Sequence, residues 1–169
     1  MKIEMLFNII HYCIYVADSK RHIFFNKLNP FVLIGRIPAV KKKFEEQGTT
    51  HLEVTNKIWE DKRYGFSIMI SGAGLVIVLF FIIMGVFDIL NSIFKHPIKS
   101  SESPFLICAI VAYIICHFTV FKDDKYLNYF RQFSKWTKRQ KWKYGLFSFV
   151  FVVGSFALFF YSFKFITKF

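Results

Sequence analysis

Three long apolar runs, at residues 64–87, 104–121 and 144–163, contain no Asp, Glu, Lys or Arg, although charged residues are frequent in the rest of the chain. Their lengths of 18 to 24 residues match the roughly 20 residues that a helix needs to cross a bilayer core of about 30 Å. The pattern predicts an all-α fold class, a polytopic membrane protein with three transmembrane helices, called here the first, second and third span.

The region before the first span, residues 1–63, is predicted to form cytoplasmic or interfacial helices. Its apolar stretch 5–17 is too short for a crossing, and polar side chains recur along it at steps of three and four. That spacing favours a helix at the membrane surface or packed on a partner, with a fourth crossing as the alternative. The polar face comprises Glu4, Asn8, His11, Tyr15 and Asp18.

Turn and cap signals divide the remainder of this region. Two prolines and a glycine break any long helix within residues 24–40. Thr50, followed three residues later by Glu53, matches a capping box, which predicts that a helix begins there. We expect this helix to run directly into the first span, with Trp59 and Tyr64 anchored at headgroup depth.

Each predicted span carries one face of small side chains. Small residues let helix backbones approach closely in lipid, where the hydrophobic effect does not drive helix association. We therefore predict that these faces bind other helices, and that they line a pore if several copies of the chain assemble. The face residues are Ser67 and Ser71 in the first span, Cys108, Ala112 and Cys116 in the second, and Ser148, Ser155 and Ser162 in the third.

Two ionisable residues lie close to the ends of the spans. Asp88 directly follows the first apolar run, so we expect it at the water boundary, with a buried functional carboxylate as the alternative. His117 lies near the inner end of the second span. There a hydrogen-bonded interfacial imidazole is expected, and a functional role is again the alternative.

The chain has a formal net charge of +12, and the distribution of that charge predicts an orientation. Of the 23 Lys and Arg residues, 19 precede the first span or lie between the second and third spans. Basic residues near span ends are retained on the cytoplasmic side. We therefore predict a multi-pass protein of the bacterial inner membrane, with residues 1–63 and 122–143 inside and the 88–103 loop and 164–169 tail outside.

The predicted inner loop, residues 122–143, combines basic and aromatic side chains. Asp124 is expected to cap an amphipathic helix on the inner leaflet, where anionic lipids are the predicted partner. Nucleic-acid binding through residues 125–143, with bases stacked on aromatic rings, is an alternative that the adjacent spans disfavour. The basic residues are Lys135, Lys138, Arg139, Lys141 and Lys143, and the tryptophans among them, Trp136 and Trp142, are predicted interfacial anchors.

Motifs for catalysis and metal binding are absent from the sequence. The five His residues form no HxxxH or HExxH pair, the three Cys residues form no CxxC pair, and no Gly-x-Ser-x-Gly occurs. Zinc sites need the His and Cys spacings, and hydrolases with a serine nucleophile need the Gly-x-Ser-x-Gly motif. The uncharged spans also lack the ionisable groups that coupled transporters use at the bilayer midplane. We therefore predict no enzyme, no cofactor and no metal.

The C-terminal two thirds, from the first span through FKDDKYLNYFRQFSKWTKRQKWKYGLFSFVFVVGSFALFF, resembles small three-span proteins of AT-rich bacterial genomes. These share a basic loop followed by a Phe- and Ile-rich last helix. Some of them accompany toxin, immunity or phage-defence genes, and small membrane accessory proteins of RNA-targeting CRISPR systems are one such class. The resemblance implies a role in bacterial defence.

Two hypotheses of different classes follow. The first is a non-enzymatic membrane protein that self-assembles into a homo-oligomer through its small-residue faces and alters membrane permeability in a pore-like way. The second is an immunity protein or accessory subunit that binds a membrane protein partner. The two differ in what they predict for the isolated chain, which is an oligomer in the first case and a monomer in the second.

Overall fold

The computed structural model describes residues 2–25, 30–94 and 102–166, and within these ranges it is helical with no strand. Because a helix satisfies the backbone hydrogen bonds of a long apolar run within the run itself, this is the expected architecture for such a composition in lipid. The described α-helices are α1 (Ile3–Phe25), α2 (Pro30–Ile34), α3 (Pro38–Glu46), α4 (His51–Glu60), α5 (Phe66–Ile93), α6 (Glu102–Cys116), α7 (Lys125–Ser134) and α8 (Lys138–Ile166).

Three described helical stretches are long and apolar enough to cross a membrane, which confirms the coarse prediction of an all-helical chain with three candidate spans. They are Phe66–Ile93, Pro104–Ser134 and Lys138–Phe165. Helix α5 continues six residues beyond the predicted end of the first span at 87, and α8 already begins at Lys138. The predicted loop 88–103 and tail 164–169 lie partly outside the described residues.

The chain divides into two compact units. The larger unit comprises Met1–Cys13 together with Ala73–Phe169, and the smaller unit comprises Ile14–Gly72. The larger unit thus contains most of α5 and all of α6, α7 and α8. The smaller unit contains α2, α3, α4 and the first turns of α5.

In the smaller unit, the cap signals act as the sequence indicates, with one exception. The chain breaks between α2 and α3 around Gly35, and α4 begins with the predicted capping box of Thr50 and Glu53. The expectation that α4 runs directly into the first span is wrong. Asp61 ends α4, and its Oδ1 accepts hydrogen bonds from the amides of Tyr64 and Arg63, each at 2.7 Å. These amide hydrogen bonds lower the pKa of the exposed Asp61 carboxyl.

The polar face that the sequence places along α1 is an inward face. Asn8 and His11 are fully buried, and Tyr15 and Asp18 are each 6% exposed. Apolar side chains such as Ile3, at 67% exposure, lie toward the outside instead. Unlike an ordinary soluble amphipathic helix, α1 therefore directs its polar face inward, where Asn8, Tyr15 and Asp18 form hydrogen bonds within the protein.

The chain leaves α6 through a sharp change of direction in the larger unit. A π-helix, His117–Phe121, follows α6, and a short 3-10 turn follows it before α7 begins. Asp123 and Asp124 have φ values of 58° and 51°, in the left-handed region that Asp tolerates better than most residues. Asp124 occupies the predicted N-cap position of α7, although its side chain makes no capping hydrogen bond.

Aromatic pairs and one glycine pack α5 against its neighbours in the larger unit. The rings of Phe80 and Phe105 on α6 are 4.8 Å apart, and those of Phe81 and Phe159 on α8 stack at 4.6 Å. A Cβ atom added at Gly85 would lie 3.1 Å from the Leu158 Cγ and 3.4 Å from its backbone carbonyl. The absence of a side chain at Gly85 therefore allows the backbones of α5 and α8 to approach closely.

We expect Gly85→Leu to lower the stability of the purified protein by about 1–3 kcal/mol, because the added side chain must displace Leu158 and its backbone. Thermal unfolding in dodecyl maltoside, followed by tryptophan fluorescence, would measure the change. Gly154→Leu is the matched control on α8, since no described atom lies within 4 Å of a Cβ at that position. Equal effects of the two substitutions would contradict the close approach at Gly85.

Candidate helix-packing and membrane-surface sites

The eight small or polar residues predicted to form helix-packing faces are all buried within the single chain. None of them is more than 5% exposed. Large apolar side chains of the same helices lie outside, with Phe149 at 65% and Phe160 at 60% exposure. The buried set comprises Ser67, Ser71, Cys108, Ala112, Cys116, Ser148, Ser155 and Ser162.

Most of the buried serine hydroxyls have hydrogen-bond acceptors within the chain. Ser71 donates to the carbonyl of Ile68 at 3.0 Å, and Ser155 donates to the carbonyl of Val152 at 2.7 Å. Both acceptors are carbonyls of the same helix, three residues earlier. A serine bonded in this way presents little polarity to a neighbouring helix, and its main contribution to packing is its small size.

Asp88 is a buried carboxylate, 6% exposed, on the part of α5 that extends beyond the predicted span. Its Oδ2 lies 3.0 Å from the hydroxyl of Ser162 on α8. The same hydroxyl lies 2.7 Å from the carbonyl of Phe159, so that its single proton serves two acceptors. The expectation that Asp88 lies exposed at the water boundary is therefore wrong. Its carboxylate forms a buried polar contact between two apolar helices.

His117 is half-buried at the first position of the π-helix. Its ring stacks on Tyr113 with centroids 6.1 Å apart and contacts the ring of Phe118 edge-on at 5.4 Å. These aromatic contacts account for its position near the end of the second span. Its functional role stays a prediction.

A polar cluster at the π-helix joins the start of α1 to the end of the second span, and the sequence patterns gave no signal for this pairing. The Asn8 Nδ2 donates to the carbonyl of Thr119 at 3.0 Å, and the Lys125 Nζ donates to the carbonyl of Phe118 at 3.1 Å. Glu4 accepts a hydrogen bond from the Tyr129 hydroxyl at 3.2 Å. Carbonyls at the end of a helix have no partner within it, so these side chains satisfy groups that would otherwise be exposed to an apolar surrounding.

Aromatic rings of α7 cover the buried face of α1 in the larger unit. The His11 ring lies 5.5 Å from that of Tyr126 and 5.1 Å from that of Phe130, and Tyr12 lies 5.6 Å from Phe133. Three rings of α7 that were expected on the inner leaflet, those of Tyr126, Phe130 and Phe133, are therefore buried by protein. They are not available for stacking with nucleic-acid bases.

A second polar cluster surrounds Asp18 in the smaller unit. The Asp18 carboxylate forms an ion pair with Arg21 and accepts hydrogen bonds from the Ser67 hydroxyl at 2.9 Å and the Trp59 indole at 3.4 Å. The Trp59 ring stacks on His22 at 4.1 Å. Trp59, predicted as an interfacial anchor, is thus half-buried in a polar contact, and Ser67 is a donor to a carboxylate.

The predicted membrane-surface residues differ in how far they are exposed. Tyr64 is 79% exposed and Trp142 is 72% exposed. Trp136 instead lies between Phe133, at 4.3 Å, and Tyr144, at 4.4 Å, with its ring stacked on both. All five predicted basic residues are exposed: Lys135, Lys138, Arg139, Lys141 and Lys143.

Four of these basic residues lie at the start of α8 rather than in a separate loop, and Lys135 lies at the end of α7. Thr137 Oγ1 accepts a hydrogen bond from the amide of Gln140 at 3.3 Å, and Gln140 Oε1 accepts one from the amide of Thr137 at 2.9 Å. This reciprocal capping box begins a helix that continues to Ile166. The Thr-x-x-Gln pattern was the signal in the sequence that could have located this start.

The described residues contain no group of three or more His, Cys, Asp or Glu side chains placed to hold a metal ion. Cys13 lies on α1, outside the candidate spans. Burial raises the pKa of its thiol. Cys13 is therefore a poor nucleophile at neutral pH, because the thiolate is the reactive form.

Comparison of the chain with protein-family models, with curated proteins and with solved structures found no match.

We expect Ser162→Ala to lower the stability of the purified protein by about 1–3 kcal/mol, because it leaves the buried Asp88 carboxylate without this donor. Ser155→Ala is the matched control, since the hydroxyl of Ser155 bonds to a carbonyl of its own helix. Thermal unfolding of both variants and of Asp88→Asn with and without Ser162→Ala would give the coupling between the two residues. A coupling near zero would rule out the proposed contact.

Proposed function

We propose that this protein is a non-enzymatic, membrane-embedded accessory protein that binds another membrane protein, and that it does not form a channel from its own copies. The observation that carries the proposal is the burial of all eight small or polar span residues within one chain. Self-assembly through those residues would require the helices of a single chain to separate first.

The chemistry of the exposed surface supports the same proposal. An aqueous path through a membrane needs polar groups along it, because a narrow hydrophobic constriction closes the path by dewetting. Four of the five serine hydroxyls that could line such a path donate to carbonyls, as in Ser71 and Ser155, or to the carboxylates of Asp18 and Asp88, while the fifth, that of Ser148, is buried. What the spans leave outside is mainly Phe, Val, Leu and Ile, which suits lipid tails or another apolar helix.

The low coverage of the third span supports a role in binding a further helix. Of the residues in an apolar 18-residue stretch of α8, only 17% are buried, against 28% in the corresponding stretch of each of the other two candidate spans. Its outer surface carries Phe149, Val153 and Phe160. Packing of a partner helix on this surface would add van der Waals contacts that lipid tails make less well.

The basic start of α8 supports binding to anionic lipids at one membrane surface. Four of the five exposed basic side chains lie in the first two turns of the helix, beside the exposed ring of Trp142. Each Lys or Arg close to an anionic surface contributes about 1 kcal/mol to the attraction. We infer that this end of α8 lies at the cytoplasmic leaflet of a bacterial inner membrane, as the distribution of Lys and Arg indicates.

We expect the protein purified in dodecyl maltoside to be a monomer of 20.1 kDa in native mass spectrometry, and to release no dye from liposomes that contain it. Ser155→Leu should lower the stability of this monomer by about 1–3 kcal/mol, because the residue is buried. The self-assembly hypothesis makes the opposite prediction. It requires a defined oligomer and dye release, and Ser155→Leu should then remove the oligomer while the monomer stays folded.

We expect a cysteine at Lys138 to react with a membrane-impermeant maleimide only in inverted membrane vesicles, and a cysteine at Lys164 to react in intact cells. The expectation follows from the basic residues around Lys138, which are retained on the cytoplasmic side. The parent chain is the control, because Cys108 and Cys116 are buried and Cys13 is half-buried. The reverse labelling pattern would show that the proposed orientation is incorrect.

A further inference from the structure

A cavity of about 540 Å³ in the smaller unit lies between the turn after α2, the helix α3 and the start of α4. Its volume is within the range of small-molecule binding sites in proteins. Three side chains that carry or can carry a positive charge line it, Arg36, Lys41 and His51. Apolar side chains, Phe44 and Leu52 among them, line other parts of the cavity.

The charges around the cavity are not balanced. The Lys41 Nζ lies 3.5 Å from the Glu45 Oε1, so these two residues offset each other. Arg36 forms no ion pair with any carboxylate of the described residues, and it is exposed to solvent. The cavity therefore has an excess of positive charge at the guanidinium of Arg36, whose planar fork suits oxygen anions.

The imidazole of His51 contributes a second group without a partner. Its Nδ1 is buried and makes no hydrogen bond within the described part of the chain. The ring is fixed by Phe44, edge-on at 5.1 Å, and by Gly35, where an added Cβ would lie 2.8 Å from the ring. Buried polar atoms in folded proteins almost always have a partner, so the missing partner of this nitrogen distinguishes His51 from the other residues that line the cavity.

The start of α4 does not itself supply the site. Its capping box uses the amide of Glu53, which donates to Thr50 Oγ1 at 3.2 Å, and the amide of Thr50, which donates to Glu53 Oε2 at 3.1 Å. The substitution of single side chains that line the cavity can test binding there.

We propose that this cavity binds a phosphate group. Arg36 and His51 hold the phosphate oxygens, and Phe44 and Leu52 contact an apolar part of the ligand. An Arg guanidinium forms paired, charge-assisted hydrogen bonds to phosphate, which are stronger than bonds between neutral groups. The phosphate could belong to a phospholipid headgroup or to a free phosphate compound. The proposal does not depend on the accessory function proposed above.

Binding is tested with the full chain in dodecyl maltoside, a detergent without phosphate, by isothermal titration calorimetry. One arm uses inorganic phosphate, and the other uses dihexanoyl phosphatidylglycerol below its micelle-forming concentration. We expect Arg36→Gln to weaken binding by at least about ten-fold, because a charge-assisted hydrogen bond contributes more than one decade in Kd. Gly35→Ala should also weaken binding, since its Cβ displaces the ring of His51.

Arg131→Gln is the matched control, because Arg131 is an exposed arginine on α7 and does not line the cavity. Binding of the lipid alone would identify a phospholipid headgroup as the ligand, and equal binding of inorganic phosphate would identify a free phosphate compound. The proposal is overturned if neither probe binds the natural chain. It is also overturned if Arg131→Gln weakens binding as much as Arg36→Gln, which would indicate a general effect of charge.

Discussion

The burial of the polar face of α1 is the constraint on which the rest of the structure depends. In the larger unit, Asn8 supplies a donor to the carbonyl of Thr119, where the π-helix departs from the regular helical pattern. In the smaller unit, Asp18 accepts a hydrogen bond from Ser67 at the start of α5. Groups at the ends of apolar helices have costly unsatisfied hydrogen bonds unless protein or water supplies partners. If α1 carried this polar face outward, the carbonyl of Thr119 and the hydroxyl of Ser67 would lose these partners.

The small residues of the spans and the large aromatic residues have complementary roles. Small side chains such as Ala112 and Cys116, both with 0% exposure, lie where helices are closest. Phe side chains extend outward from the same helices, where neither lipid nor a partner helix penalises their size. This division places the small residues of the three candidate spans inside the chain, and it leaves apolar surfaces and the basic start of α8 exposed.

Local patterns in the sequence predicted the helices, but they could not predict contacts between residues that are distant in the chain. The absence of charge located the three spans, and the pair Thr50 and Glu53 located the start of α4, because both depend on neighbours in the chain. Asp88 was expected at the water boundary because a carboxylate in a helix is usually exposed, and its burial depends on Ser162, 74 residues away. The rings of α7 were expected on lipid for the same reason, since periodicity identifies an apolar face without identifying what covers it.

The unequal lengths of the spans have a consequence for the choice of membrane. Helices α5 and α8 contain 28 and 29 residues, which corresponds to about 42 Å and 43 Å at 1.5 Å per residue. The 15 residues of α6 and five of the π-helix extend about 30 Å at the same rise. A bilayer that matches the shortest span leaves the others with excess length, which tilt or local thickening must accommodate. In any bilayer that these helices cross, the lipid thickness would therefore set how far the long helices incline.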